Sequence, residues 1–99
     1  MNKNPIQIAG IAWYRADDYP RIRQIMVDGR NLPATFEKWS EAAHKLEQAY
    51  QSAGQRVVRA FIRPDEFVGW CRTHGLDVDA NARQRWGAEC ARRAAVPGN

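Results

Sequence analysis

The stretch Ala12-Trp-Tyr-Arg-Ala-Asp-Asp-Tyr19 decides the fold, because a second stretch of the same pattern, Ala60-Phe-Ile-Arg-Pro-Asp-Glu-Phe67, follows 48 residues later. Both stretches follow one eight-position pattern: a small residue, an aromatic, an apolar residue, Arg, any residue, Asp, an acidic residue and an aromatic. After each stretch a glycine, a leucine and a tryptophan recur in the same order, so that the likeness extends over about 35 residues. We therefore predict a single domain over residues 1–99, made of two diverged copies of one unit at about 6–53 and about 55–95.

Each copy is predicted to form one strand and two helices. Residues 6–14 and 56–62 are rich in β-forming residues and bounded by Gly, Pro or Asp, which is typical of strands. Asp17 and Asp65 follow the strands and are predicted to open helices, where a carboxylate suits the free N–H groups.

Two glycines are predicted to stop the first helix of each copy. Gly29 and Gly75 follow short amphipathic stretches, and glycine tolerates the left-handed conformation that often ends a helix. Thr35 and Asp79 are predicted to cap the second helices. The predicted inward residues of the four helices are Tyr19, Ile22, Ile25, Met26; Phe36, Trp39, Ala43, Leu46, Tyr50; Phe67, Trp70, Cys71, His74; and Ala82, Trp86, Cys90, Ala94.

The order β-α-α-β-α-α predicts an α/β (α+β) fold with only two strands. If a pseudo-two-fold axis relates the copies, the strands pair antiparallel in a small two-stranded sheet and the four helices cover one face. An exposed strand edge remains, and edges are commonly paired or blunted. Pairing with a second chain predicts a four-stranded sheet and a symmetric homodimer.

Composition favours a globular domain in a reducing compartment. Apolar residues make up 44% and charged residues 26% of the chain. The N-terminus shows no apolar segment of a signal peptide, and no apolar run is long enough to span a membrane. We therefore expect a cytoplasmic protein with no membrane partner, with Cys71 and Cys90 as free thiols and disorder only at residues 1–5 and 96–99.

Three stretches of the chain resemble a group of small uncharacterised bacterial proteins. They are residues 11–19, Leu32-Pro-Ala-Thr-Phe-Glu-Lys-Trp39 and Asp65-Glu-Phe-Val-Gly-Trp-Cys-Arg72. The resemblance implies a bacterial, cytoplasmic protein. It implies no activity, cofactor or catalytic residue.

Basic residues are the first candidates for contact with an acidic partner. The net charge is +4, and all eight basic residues after position 54 are arginines. Four of them lie on the last predicted helix, Arg83, Arg85, Arg92 and Arg93, and the two interpretations are contact with phosphates and a solvated helix face. Trp13 and Tyr14 straddle a strand, so one of them is predicted to face outward, where it would stack on a base or form a dimer contact.

The strand ends supply a second candidate group. Arg15 and Arg63 stand one turn before acidic residues in each copy. They are predicted to form ion pairs with the acidic pairs Asp17-Asp18 and Asp65-Glu66, with a ligand at the strand ends as the alternative.

A thiol or metal site is the weakest candidate. Cys71 and His74 have the C-x-x-H spacing, and Cys90 and His44 would complete four zinc ligands. Both cysteines fall on predicted core faces, where a free thiol acts as a small hydrophobic group. We therefore predict no catalytic residue, metal or cofactor.

Three functions remain, in order of preference. The first is a non-enzymatic binding protein that contacts itself and another macromolecule. The second is a nucleic-acid-binding protein that uses the arginines of the C-terminal half, although no recognition motif supports it. The third is a thiol- or metal-dependent enzyme.

Overall fold

A computed structural model describes residues 7–95 of the chain. Ile6 and the termini at 1–5 and 96–99, where disorder is expected, lie outside the described residues. The elements follow the expected strand–helix–helix order twice. They are β1 (Ile8–Trp13), α1 (Tyr19–Ile25), α2 (Phe36–Ser52), β2 (Arg56–Phe61), α3 (Pro64–Thr73) and α4 (Ala80–Ala95), with short 3-10 turns at Ala16–Asp18 and Gly29–Asn31.

The two strands pair in parallel, so the antiparallel prediction is wrong. Ile8 lies beside Arg56 at one end of the ladder and Trp13 beside Phe61 at the other. A parallel pair needs a long crossover, and the chain between β1 and β2 holds two helices, the second of which brings it back to the starting end of β1. The antiparallel prediction assumed the direction of the symmetry axis, which no residue pattern specified.

Helices cover both faces of the sheet, contrary to the expectation that they share one. The backbones of Gly10 and Gly87 meet, which places α4 on the face to which Gly10 points. Trp13 lies three residues further along β1, so its side chain points to the opposite face, where it contacts Trp39 of α2 at a ring distance of 5.2 Å. The sheet is therefore the middle layer, between α2 and α4.

One core joins the two halves of the chain. Tyr14, Tyr19 and Ile22 of the first half belong to the same buried cluster as Ile62 and Phe67 of the second. The four tryptophans form two edge-on pairs. Trp13 and Trp39 are 5.2 Å apart at 76°, and Trp70 and Trp86 are 5.3 Å apart at 71°.

The role predicted for the glycines is right at one position and wrong at the other. Gly75 has a φ of +67° and ends α3 as expected. Gly29 has no positive φ; it is buried, and a Cβ there would lie 1.8 Å from the carbonyl oxygen of Arg23. Glycine is needed at that position for close packing of the loop after α1.

Several burial predictions are confirmed and others are corrected. Trp13 and Tyr14 are both buried, because both rings pack against Trp39 of α2, at centroid distances of 5.2 and 4.7 Å. Leu46 is 46% exposed although it continues the apolar stripe of α2. Cys71 is buried as predicted, whereas His74 is exposed.

Both predicted helix caps are present. The Thr35 hydroxyl accepts a hydrogen bond from the Lys38 N–H at 3.2 Å, and an Asp79 carboxylate oxygen accepts one from the Ala82 N–H at 3.0 Å. Within residues 7–95, no helix combines the length and apolar character needed to cross a membrane.

Candidate functional site

The outer edge of β1 is the main candidate for an interaction surface. The carbonyl oxygen of Gln7, just before β1, accepts a hydrogen bond from Arg56, and that of Trp13 accepts one from Ile62, just after β2, so the odd-numbered residues direct their backbone toward β2. The N–H and C=O groups of Ile8, Gly10 and Ala12 therefore point the other way. Within residues 7–95 the sheet has two strands, so no described strand pairs with these groups and an added strand could do so.

A groove follows this edge, and we call it the edge groove. It comprises two adjoining hollows of about 420 and 590 Å³. Ala42, Leu46 and Tyr50 of α2 line one wall. Ala88 and Ala91 of α4 line the other. The small side chains leave the backbone of β1 accessible between the two helices.

The edge groove is nearly free of net charge. Arg83 is paired with Asp28, and Arg92 shares the carboxylate of Glu89 with Arg93, so the lining keeps only a fraction of one positive charge. Burial raises the pKa of Tyr14, which also lines the groove, to about 12, so its phenol is neutral at physiological pH. A neutral, largely apolar groove favours an uncharged extended segment over an acidic ligand.

The strand-end residues form ion pairs, which was the preferred prediction. The Nε atoms of Arg15 and Arg63 lie 3.9 and 3.7 Å from the same carboxylate oxygen of Asp18. The Asp65 carboxylate accepts a hydrogen bond from Arg21 at 3.1 Å. Asp17 makes no ion pair among the described residues. The carboxylate that Arg15 and Arg63 share belongs to the next residue, Asp18.

The four arginines of α4 do not form one uncommitted basic face. Arg83 makes two hydrogen bonds to Asp28, at 2.8 and 2.9 Å, and its side chain is only 13% exposed. Arg92 and Arg93 share the carboxylate of Glu89. Arg85 is exposed and makes no ion pair among the described residues. This set therefore offers less positive charge than the sequence indicates.

The thiols lack the features of a nucleophile. Burial raises the pKa of Cys71 and of Cys90, which keeps both protonated at neutral pH. The Nδ1 atom of His74 lies 2.8 Å from the carbonyl oxygen of Trp70, one turn earlier on α3. Among residues 7–95 no three His, Cys, Asp or Glu side chains come together as metal ligands.

Sequence reasoning anticipated an open strand edge but not the groove beside it. Gly10 and Ala12 of β1, and Gly87, Ala88 and Ala91 of α4, are small residues whose shared role became visible only from the parallel pairing. Their small size was the available signal, and it carries information only once the faces of β1 are known. No protein-family model, no curated protein and no solved structure matches this chain.

Proposed function

We propose that this protein acts by binding rather than by catalysis, and that its first partner is a second copy of itself. The open edge of β1 supports this proposal most directly. Three alternate residues of β1, Ile8, Gly10 and Ala12, direct their backbone donors and acceptors away from β2, into a groove of little net charge. Free thiols and the lack of a membrane-crossing helix among the described residues fit a cytoplasmic protein.

The edge of β1 is self-complementary about Gly10. In an antiparallel pair of two β1 strands, Gly10 lies opposite its own copy, and Ile8 lies opposite Ala12 of the second chain. The two chains then share one four-stranded sheet with a two-fold axis at its centre, as an isologous interface requires.

The walls of the groove complete the proposed interface. Leu46 and Ala88 line the groove at the level of Gly10, on opposite sides of the sheet. Each therefore comes close to its own copy across the axis. Leu46 is 46% exposed in the single chain, and dimerisation would bury this apolar side chain.

Nucleic-acid binding along α4 receives less support. Arg83 is committed to Asp28, and a single carboxylate neutralises part of the charge on Arg92 and Arg93. Enzymatic activity receives the least, because neither thiol is activated.

The proposal is tested by sedimentation velocity of the full chain at concentrations up to about 200 µM. We expect a species of twice 11.3 kDa, and in hydrogen exchange the amides of Gly10 and Ala12 should gain protection as it forms. The variants Leu46→Lys and Ala88→Glu place charge at the axis and should weaken association at least about tenfold.

Val27→Lys is the matched control, because Val27 is also an exposed large apolar residue, at 76%, and does not line the edge groove. It should leave association unchanged. A monomer at the highest concentration, or equal weakening by all three substitutions, would refute the proposed interface.

A further inference from the structure

A second, smaller cavity lies at the end of β2, and we call it the aromatic pocket. Phe61 of β2, Trp70 of α3 and Trp86 of α4 line it, with Phe67 beneath Trp70. The pocket shares no lining residue with the edge groove. A ligand of the aromatic pocket therefore contacts different residues from those that line the proposed dimer interface.

The walls of the aromatic pocket are held in place by the fold. The indole N–H of Trp86 donates a hydrogen bond to the carbonyl oxygen of Phe61 at 3.1 Å. Trp70 packs edge-on against Trp86 and stacks on Phe67 with an interplanar angle of 15°. Phe61 stands at the mouth and is 47% exposed. The pocket thus combines fixed aromatic walls with one ring open to solvent.

The volume limits what can enter. The cavity measures about 200 Å³, below the roughly 300–1,000 Å³ of sites that bury a drug-sized ligand. It is suited to a single flat ring, with any further groups of the ligand remaining at the rim.

The rim carries an excess of positive charge on two sides. Arg63 shares the carboxylate of Asp18 with Arg15, so that two guanidinium groups face one acid. On the other side, Arg93 and Arg92 likewise share the single carboxylate of Glu89. Glu66 is the third charged residue of the rim and offsets only part of this excess. An anionic group attached to a bound ring would find a partner at either arginine.

We propose that the aromatic pocket binds a flat aromatic ring that carries a phosphate, the chemistry of a nucleotide. The ring stacks on the half-exposed ring of Phe61, with Trp70 and Trp86 as the walls around it, and the phosphate lies at the rim beside Arg63 or Arg93. Such a ligand comes from two sources, a free mononucleotide or one nucleotide of a single strand. The two sources share the ring and the phosphate, and they differ in whether neighbouring nucleotides add affinity.

The four indole N–H signals of the chain report binding directly in a ¹H–¹⁵N correlation spectrum. Titration with AMP should shift the signals of Trp70 and Trp86 and leave those of Trp13 and Trp39 in place, with a Kd below about 1 mM. Trp86→Phe assigns its signal. Adenosine and inorganic phosphate, each lacking one half of the ligand, should bind at least about fivefold more weakly.

Three substitutions test the contacts. Phe61→Ala removes the exposed ring and should weaken AMP binding at least about fivefold. Arg63→Gln and Arg93→Gln should each weaken it about threefold to tenfold. Arg85→Gln is the matched control, since Arg85 is an exposed arginine of α4 outside the pocket, and should leave affinity unchanged.

Comparison of AMP with a short single strand distinguishes the two sources of the ligand, and the same titrations can refute the proposal. A hexanucleotide that binds more than about tenfold tighter than AMP, through the same two indole signals, indicates a single strand as the natural ligand, and equal affinity indicates a mononucleotide. No shift at about 10 mM AMP, shifts at Trp13 and Trp39, or binding unaffected by Phe61→Ala would overturn the proposal.

Discussion

Arg83 shows how a residue that looks like a ligand contact serves the fold. Its guanidinium makes two hydrogen bonds to Asp28, linking α4 to the loop after α1 across 55 positions of the chain. The hydrogen bonds from Arg83 hold the pKa of Asp28 below its usual range. Among the four candidate arginines of α4, this one is the least available to a partner.

The Asp28–Arg83 pair predicts a specific pH dependence. Because the pKa of Asp28 is lower in the folded chain, the pair stabilises the fold above the unfolded pKa of about 3.9 and loses its effect as the pH falls through the folded value. Asp28→Asn should therefore cost about 1.5–3 kcal/mol at pH 7, and the difference from the parent should shrink toward pH 3. Urea unfolding at both pH values, followed by tryptophan fluorescence, measures it.

Glu89→Gln is the control for that experiment. Glu89 is also a carboxylate bound by arginine, here Arg92 and Arg93, but both arginines are exposed and solvent screens the pairs. It should change stability little at either pH. A constant difference between Asp28→Asn and the parent across the range would contradict the assigned role of the pair.

At the scale of elements, the contact between β1 and α4 depends on two glycines. A Cβ on Gly10 would lie 1.9 Å from the carbonyl oxygen of Gly87, and a Cβ on Gly87 would lie 2.5 Å from that of Gly10. Backbone cannot yield as a flexible side chain does. The helix approaches the strand this closely only because both positions lack a side chain.

Gly10→Ala should therefore destabilise the fold by about 1–3 kcal/mol, because α4 must move away from β1. Gly69→Ala is the comparison, since an added Cβ there meets nothing within 4 Å on helix α3. It should stabilise the chain by about 0.5–1 kcal/mol. Thermal and denaturant unfolding of both variants measure the contrast, and equal effects would show that the close contact is not required.

Sequence patterns predicted the elements better than their arrangement. The six elements, the caps Thr35 and Asp79 and the buried Cys71 follow from local periodicity and hydrogen-bonding chemistry. Strand direction does not, because a crossover with two helices lets the chain return to either end of β1. The exposure of Leu46 escaped prediction for the same reason, since it follows from which strand edge stays open.

Sequence patterns also predicted the candidate sites only in part. The ion pairs of Arg15 and Arg63 with the acidic residues that follow each strand are predicted from spacing, but the sharing of Asp18 by both arginines is not. The aromatic pocket was missed, because Phe61, Trp70 and Trp86 come from three elements whose packing no periodic pattern specifies. Residues that converge from distant elements need the topology before their proximity can be inferred.

At the scale of the whole molecule, each half is completed by the other. β1 has β2 as its strand partner, α4 of the second half packs on β1, and Glu47 of α2 binds Arg59 of β2. Neither half holds a complete core of its own, since the buried cluster draws on both.

Residues 1–54 and 55–99 produced as separate chains should therefore each lack a cooperative unfolding transition. Mixing them should restore it, because every strand and helix of the sandwich is then present. Near-ultraviolet circular dichroism and thermal melts of each piece and of the mixture provide the measurement. A cooperative transition in one piece alone would show that a half is an independent folding unit.

The two edge-on tryptophan pairs give the molecule a pair of optical probes. The indole rings of the two pairs are 5.2 and 5.3 Å apart and inclined at 76° and 71°. At these distances their electronic transitions couple, so we expect each pair to contribute an exciton couplet to the far-ultraviolet circular dichroism spectrum. One pair lies between β1 and α2, and the other lies at the end of β2 between α3 and α4. Replacing one member of either pair by phenylalanine removes one couplet and leaves the other. The order in which the two couplets disappear during unfolding then shows which tryptophan pair loses its packing first.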